Sequence, residues 1–277
     1  MINELDVPGT DLWKYVDDTT ISETISKNQD SHIQDAVDTL ASRATEDKFQ
    51  LNETKCKEML INFNTNNLTS FDPVVVNGMP IDLVTSAEIL GLNISNDLKW
   101  NCHIDSIIKK AKKRLYSLSQ LKRSGLGTRE LVQFFCTCIR PIIEYACPVF
   151  HDGLPVYLSN QLEGVQKRPR AMGIIFPLCS YNEALVESGL TKLSDRRQEL
   201  VDKLFKNVLQ NEQNKLHELL PARNTCTFNL RNMLKFKPAF KTNRFRSSFI
   251  TFNALKAWTV LVDFLNLFYT YFFRTYI

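Results

Sequence analysis

The stretch LKWNCHIDSIIKKAKKRLYSLSQLKR, residues 98–123, is where the apolar pattern of the chain changes period. Within it Ile104, Ile107, Ile108, Ala111, Leu115, Leu118 and Leu121 recur at steps of three and four. That spacing predicts one helix from about 103 to 123, with the apolar stripe turned inward. Lys109, Lys110, Lys112, Lys113 and Arg114 then fall largely on its other faces. Upstream the pattern alternates with period 2, and downstream it stays helical. The predicted class is therefore α+β, with strands confined to residues 1–97 and an all-helical remainder.

Working upstream, the segment LWKYVDDTTI (12–21) reads as two short strands around a tight turn at Asp17 and Asp18. Adjacent carboxylates repel and form strands poorly, so the pair belongs in the turn. SHIQDAVDTLASRATEDKFQLN follows, with Ser31 and Gln34 in capping-box spacing and Ile33, Ala36, Val37, Leu40, Ala41 and Ala44 at helical spacing. CKEMLINF (56–63) and AEILGLNIS (87–95) read as strands, with Gly91 permitting close backbone approach. Asn77-Gly78 between β-branched runs predicts a two-residue hairpin. Downstream, RELVQFFCTCIRPIIEYACPVF is a helix kinked or broken at Pro141, and SDRRQELVDKLFKNVLQ is a plain amphipathic helix. Pro169 interrupts the basic run LEGVQKRPRAMGII.

Charge follows the same division. Residues 1–97 hold 6 Lys+Arg against 17 Asp+Glu, a net of −11, whereas residues 98–277 hold 28 against 13, a net of +15. The whole-chain value of +4 conceals this asymmetry, which points to nucleic acid as a partner. Between 99 and 123 eight basic residues face Asp105 alone, a local net of +7. Lysines and arginines so placed can neutralise phosphates, each contact adding to a salt-sensitive affinity. The seven cysteines are odd in number and form no CxxC pair, which predicts reduced thiols in an intracellular protein, nucleus and cytoplasm being indistinguishable. Cys147 and His151 have a loose metal-like spacing with no second pair beside them. WTVLVDFLNLFYTYFF (258–273) is apolar but falls short of the ~20 residues a membrane span needs, and it carries Asp263 and Asn266. A buried helix or an unrelated tail is the expectation there, with no membrane partner.

The ordered series KYVDDTTI, LNETKCKEMLINF, AEILGLNIS and the 98–123 stretch resembles the reverse transcriptase of non-LTR retrotransposons of the LINE, Jockey-like type. IRPIIEYACPVF, LSDRRQELV and NRFRSSFITFNALKAW resemble the region that follows its thumb. The resemblance implies a fold of truncated palm (β-hairpin, helix, β-hairpin) over 1–97 and a helical thumb over 98–190. A C-terminal helical extension over 191–277 with an atypical apolar tail would follow. It implies an RNA-directed DNA polymerase, a nucleotidyltransferase using Mg2+, deoxynucleotides, an RNA template and a DNA primer or hybrid duplex. By the same resemblance Asp17 and Asp18 are catalytic metal ligands and Lys55 the proton donor to pyrophosphate. Tyr15, Lys109, Lys110, Lys112, Lys113 and Arg114 would contact nucleic acid.

One departure weighs against activity. MINEL resembles residues just after the family's nucleotide-positioning segment, so the third metal-binding aspartate and the fingers would be missing. Two of three carboxylates should hold Mg2+ weakly or not at all. The expectation is a polymerase fragment inactive alone. The alternative is a non-catalytic nucleic-acid-binding remnant or a decayed open reading frame of a mobile element.

Overall fold

A computed structural model of the chain describes residues 9–25, 29–62, 71–167, 171–222, 236 and 243–256. The first residues MINEL, Pro169, Cys226 and the apolar stretch 258–273 lie outside these. The chain divides into two compact units between Lys99 and Trp100.

The first unit is built from hairpins and one helix. Strands β1 (Thr10–Tyr15) and β2 (Asp18–Glu23) pair antiparallel, with Tyr15 opposite Asp18 and Leu12 opposite Ile21. Helix α1 (Ile33–Glu46) packs its Ile33, Ala36, Leu40 and Ala44 face on Ile21 and Val74, with Leu12, Val37, Leu51 and Ile81 at the margin. Burial of these aliphatic side chains, at roughly 25 cal/mol per Å2 of apolar surface, is what holds hairpin and helix together.

The capping box does not form. His32 is the N-cap and offers no side-chain bond, whereas the Ser31 hydroxyl and the His32 amide both donate to the buried Glu23 carboxylate at the end of β2. Gln34 is claimed elsewhere. Its side-chain amide donates to the Val75 carbonyl at 2.8 Å and accepts from the Val75 amide at 2.9 Å, standing in for a neighbouring strand. Two tertiary hydrogen bonds to backbone outweigh one local cap.

The remaining strands are short: β3 (Lys57–Glu58), β4 (Val75–Val76), β5 (Met79–Pro80), β6 (Asp82–Leu83), β7 (Ser86–Ile89) and β8 (Leu92–Ser95). Asn77 and Gly78 both have positive φ (48° and 79°), the turn that a tight β4–β5 hairpin requires. The stretch 87–95, expected as one strand, is a second such hairpin. Leu90 and Gly91 turn at φ of 47° and 79°, so Gly91 serves a chain reversal. Among the described residues 56–62 of the expected strand 56–63, only Lys57–Glu58 is strand, paired in parallel with Asp82–Leu83.

In the second unit the described elements are helices, apart from an isolated bridge residue at Phe236. Helix α2 (Asn101–Arg123) is followed by α3 (Thr128–Phe134), a π-helical turn (Phe135–Ile139) and α4 (Arg140–Glu144). Pro141 neither breaks nor sharply ends this run. Proline has no amide to give to the preceding turn, and the widened π turn absorbs the lost bond immediately before it. Thereafter come α5 (Cys147–Phe150), α6 (Val156–Gln166), α7 (Ala171–Ile175), α8 (Tyr181–Ser188), α9 (Leu193–Gln210), α10 (Asn243–Arg246) and α11 (Phe249–Lys256). Helices α4, α6 and α7 pack on α2, and α9 packs on α5 and α6 within the same unit. No helix among the described residues is long and apolar enough to cross a membrane.

Candidate nucleic-acid interface

The 98–123 stretch forms a single helix because its apolar residues need one continuous inward stripe. Ile104, Ile107, Ile108, Ala111, Leu115 and Leu118 are buried, with Leu121 half-buried at the end of the stripe. His103 is buried beside them, edge-on to Phe150 at 5.2 Å and to Trp100 at 5.9 Å between ring centres. With that face occupied, the helix turns its cations out: Lys109, Lys110, Lys112, Lys113 and Arg114 are all exposed.

None of these five makes an ion pair among the described residues. The contrast with neighbouring cations is instructive. Lys99 is held by Asp97 at 2.7 Å, and Arg140 and Arg196 both lie within 3.5 Å of the Glu144 carboxylate. The cations of α2 are left with uncompensated charge. Lys109, Lys112 and Lys113 lie seven, four and three residues before Tyr116, so they occupy the same side of the helix. Tyr116 itself is 68% exposed. Lys110 and Arg114, four apart, line the adjoining flank.

The scaffold behind this face contains buried polar groups that the sequence did not reveal. Arg197 occupies a core position of α9, in line with Leu193, Val201, Phe205 and Val208, and is fully buried. Its guanidinium donates to the Ser159 hydroxyl at 3.1 Å and to His151 Nδ1 at 3.4 Å. Burial lowers its proton affinity, while the nearby negative charge of Glu163 opposes that shift. Glu163, buried on α6, accepts the Tyr181 hydroxyl at 2.6 Å and the backbone amides of Leu193 and Ser194, the first residues of α9. It serves as the N-cap that Lys192 cannot be. Burial and the bond to Glu163 push the Tyr181 hydroxyl well above the usual phenol range.

The loose Cys147–His151 pair falls in this cluster: burial pushes the Cys147 thiol up to about 12, and His151 Nδ1 accepts from Arg197 at 3.4 Å. Cys56, Cys102, Cys136, Cys138, Cys147 and Cys179 are all free thiols.

The residues singled out in the first unit do not form a comparable group. Asp17 lies in the β1–β2 turn and Asp18 opens β2, both exposed, with Tyr15 exposed across from Asp18. Val16 between them is held at φ 57°, a conformation that strains a β-branched residue. Lys55 is exposed in the turn that leads into β3, its backbone amide bonded to Asn52. Among the described residues no group of three or more His, Cys, Asp or Glu side chains is placed to hold a metal ion.

A family model described as alkylated DNA repair protein alkB homolog 8, N-terminal, matches residues 100–140, the segment that carries α2, α3 and the π turn. This match corrects the resemblance to a non-LTR retrotransposon reverse transcriptase, because the family found is not one of polymerases. The polymerase function, and the retrotransposon and nucleotidyltransferase attributes that came with it, fall with that resemblance. The roles of Asp17, Asp18, Lys55 and Tyr15 rested on it alone. No curated protein and no solved structure gives a match. The matched stretch is well under half of the chain and does not by itself place the chain in the alkB homolog 8 family.

Proposed function

We propose that the helical unit binds nucleic acid, without sequence preference, through the exposed basic face of α2. The observation that carries this reading is the set of five exposed cations on α2, free of ion pairs among the described residues. A solvated helix face of an ordinary domain mixes both signs, whereas here Asp105 is the sole acidic residue of the helix. The family match supports the same reading. It falls on this helix, and the name of the matched family refers to a protein of alkylated DNA repair.

Lysine and arginine contacts to phosphate position a nucleic-acid backbone but carry no base information. Affinity should therefore be indifferent to sequence and fall steeply with salt. The test is binding of labelled oligonucleotides of unrelated sequence to the full chain across a salt series. Equal affinities that decline together are expected. An affinity that differs more than tenfold between sequences, or one unmoved by salt, would refute the reading.

A further inference from the structure

Tyr116 has no packing role that explains its position. It projects from α2 with 68% of its surface exposed, within one turn of Lys112 and Lys113 and two turns from Lys109. At the other end of the same helix the Asn101 side chain donates to the Tyr157 hydroxyl at 2.8 Å, which fixes a second tyrosine that is 52% exposed. Residues 101, 105, 109, 112 and 116 step along α2 by three and four, so they run in one stripe. At 1.5 Å per residue the stripe is about 22 Å long. It carries an aromatic ring at each end and lysines between them, with Asp105 the lone opposing charge.

A stripe of phosphate-binding cations with aromatic faces at both ends suits unpaired bases better than paired ones. In a duplex the bases are stacked on one another and offer no face to a protein ring. In a single strand they are free to stack on an aromatic side chain while the backbone follows the cations. We infer that the preferred ligand of the α2 face is single-stranded nucleic acid, with Tyr116 as the principal stacking platform and Tyr157 as a second one. This inference rests on the basic face binding nucleic acid and adds the form of the strand.

The probes are a labelled uniform 12-nucleotide single strand, as oligo-dT and as oligo-U, and a 12-base-pair duplex, each titrated with the full chain. Stacking contributes ~1–3 kcal/mol per base, which at ~1.4 kcal/mol per tenfold is roughly 5- to 150-fold in affinity. Tyr116→Ala should weaken both single strands by that factor, alter the duplex by less than about twofold and leave the salt slope unchanged. Tyr116→Phe, which keeps the ring, should bind like the parent. Since the side chain is exposed, the alanine variant should fold, and an unchanged far-UV spectrum confirms that. Equal loss on single strand and duplex, or no loss on either, would overturn the stacking role. If Tyr116→Ala has no effect while substitution of the lysines weakens binding, only the stacking role is lost. If neither change has an effect, the basic-face reading fails as well.

Discussion

Replacing Glu163 by alanine should remove about 3–5 kcal/mol from the helical unit, a large part of the ~5–15 kcal/mol that a domain typically has. The figure follows from what the carboxylate holds. It accepts two backbone amides at the start of α9 and the Tyr181 hydroxyl; alanine strands both amides and leaves the half-buried Tyr181 hydroxyl only its bond from the Gln166 side chain. Each stranded buried donor costs ~1–3 kcal/mol, with the lower end suited to Ser194, where water has partial access. The change also deprives the buried Arg197 guanidinium of a compensating charge. Glu163→Gln keeps the shape and an acceptor oxygen but not the charge, so about 1–2 kcal/mol is expected. Urea unfolding followed by far-UV circular dichroism measures both, with an unchanged slope indicating that stability alone has moved. A loss below ~1 kcal/mol for the alanine variant, or equal losses for the two, would refute the cap-and-counterion account.

Two further predictions concern the first unit. Val16 sits at φ 57° with its side chain exposed, so Val16→Asn should relieve strain without loss of packing and stabilise the hairpin by roughly 0.5–1 kcal/mol. Slower hydrogen exchange of the β1–β2 amides would register it; faster exchange would show that the valine contributes a contact. Asp97, although partial burial acts to raise it, is lowered from 3.8 to about 2 by hydrogen bonds from Lys99 and Ser95 and by the Lys99 charge. A depressed carboxylate stabilises the fold fully above its ordinary value and loses that contribution as pH falls to about 2. Acid unfolding should thus steepen between about pH 4 and 2, and Asp97→Asn should flatten that window. Parallel acid profiles for parent and variant would contradict the assignment.

The sequence showed the α2 stripe plainly because six of its apolar positions share one helical phase and end up buried together. Asn77-Gly78 was equally legible, since few other pairs accept two positive φ values cheaply. The Leu90-Gly91 turn was not, because leucine in the left-handed region runs against local preference and is imposed by the pairing of β7 with β8. Gln34 shows the same limit from the other side, its capping spacing overridden by Val75, a residue 41 positions away. Arg197 looked like one more polar residue of an amphipathic helix. Only tertiary structure reveals that it lies on the apolar phase of α9. Tyr116 could have been noticed as an aromatic three and four residues from lysines, but its exposure is a property of the packed unit. The polymerase resemblance drew attention to Asp17 and Asp18, whereas the family match falls on α2.

The central claim, that the exposed cations of α2 hold nucleic acid, is tested most directly by the salt dependence of one variant. Lysine-to-glutamine substitutions at 109, 110, 112 and 113 keep helix propensity and leave the stripe from Ile104 to Leu118 untouched. Each lost phosphate contact lowers the slope of log affinity against log salt by ~0.7–0.9, so the full set should flatten it by roughly three. Binding should weaken alike for oligonucleotides of every sequence. A quadruple variant that binds as tightly as the parent, with the same slope, would show that these lysines are only a solvated face and would contradict the account.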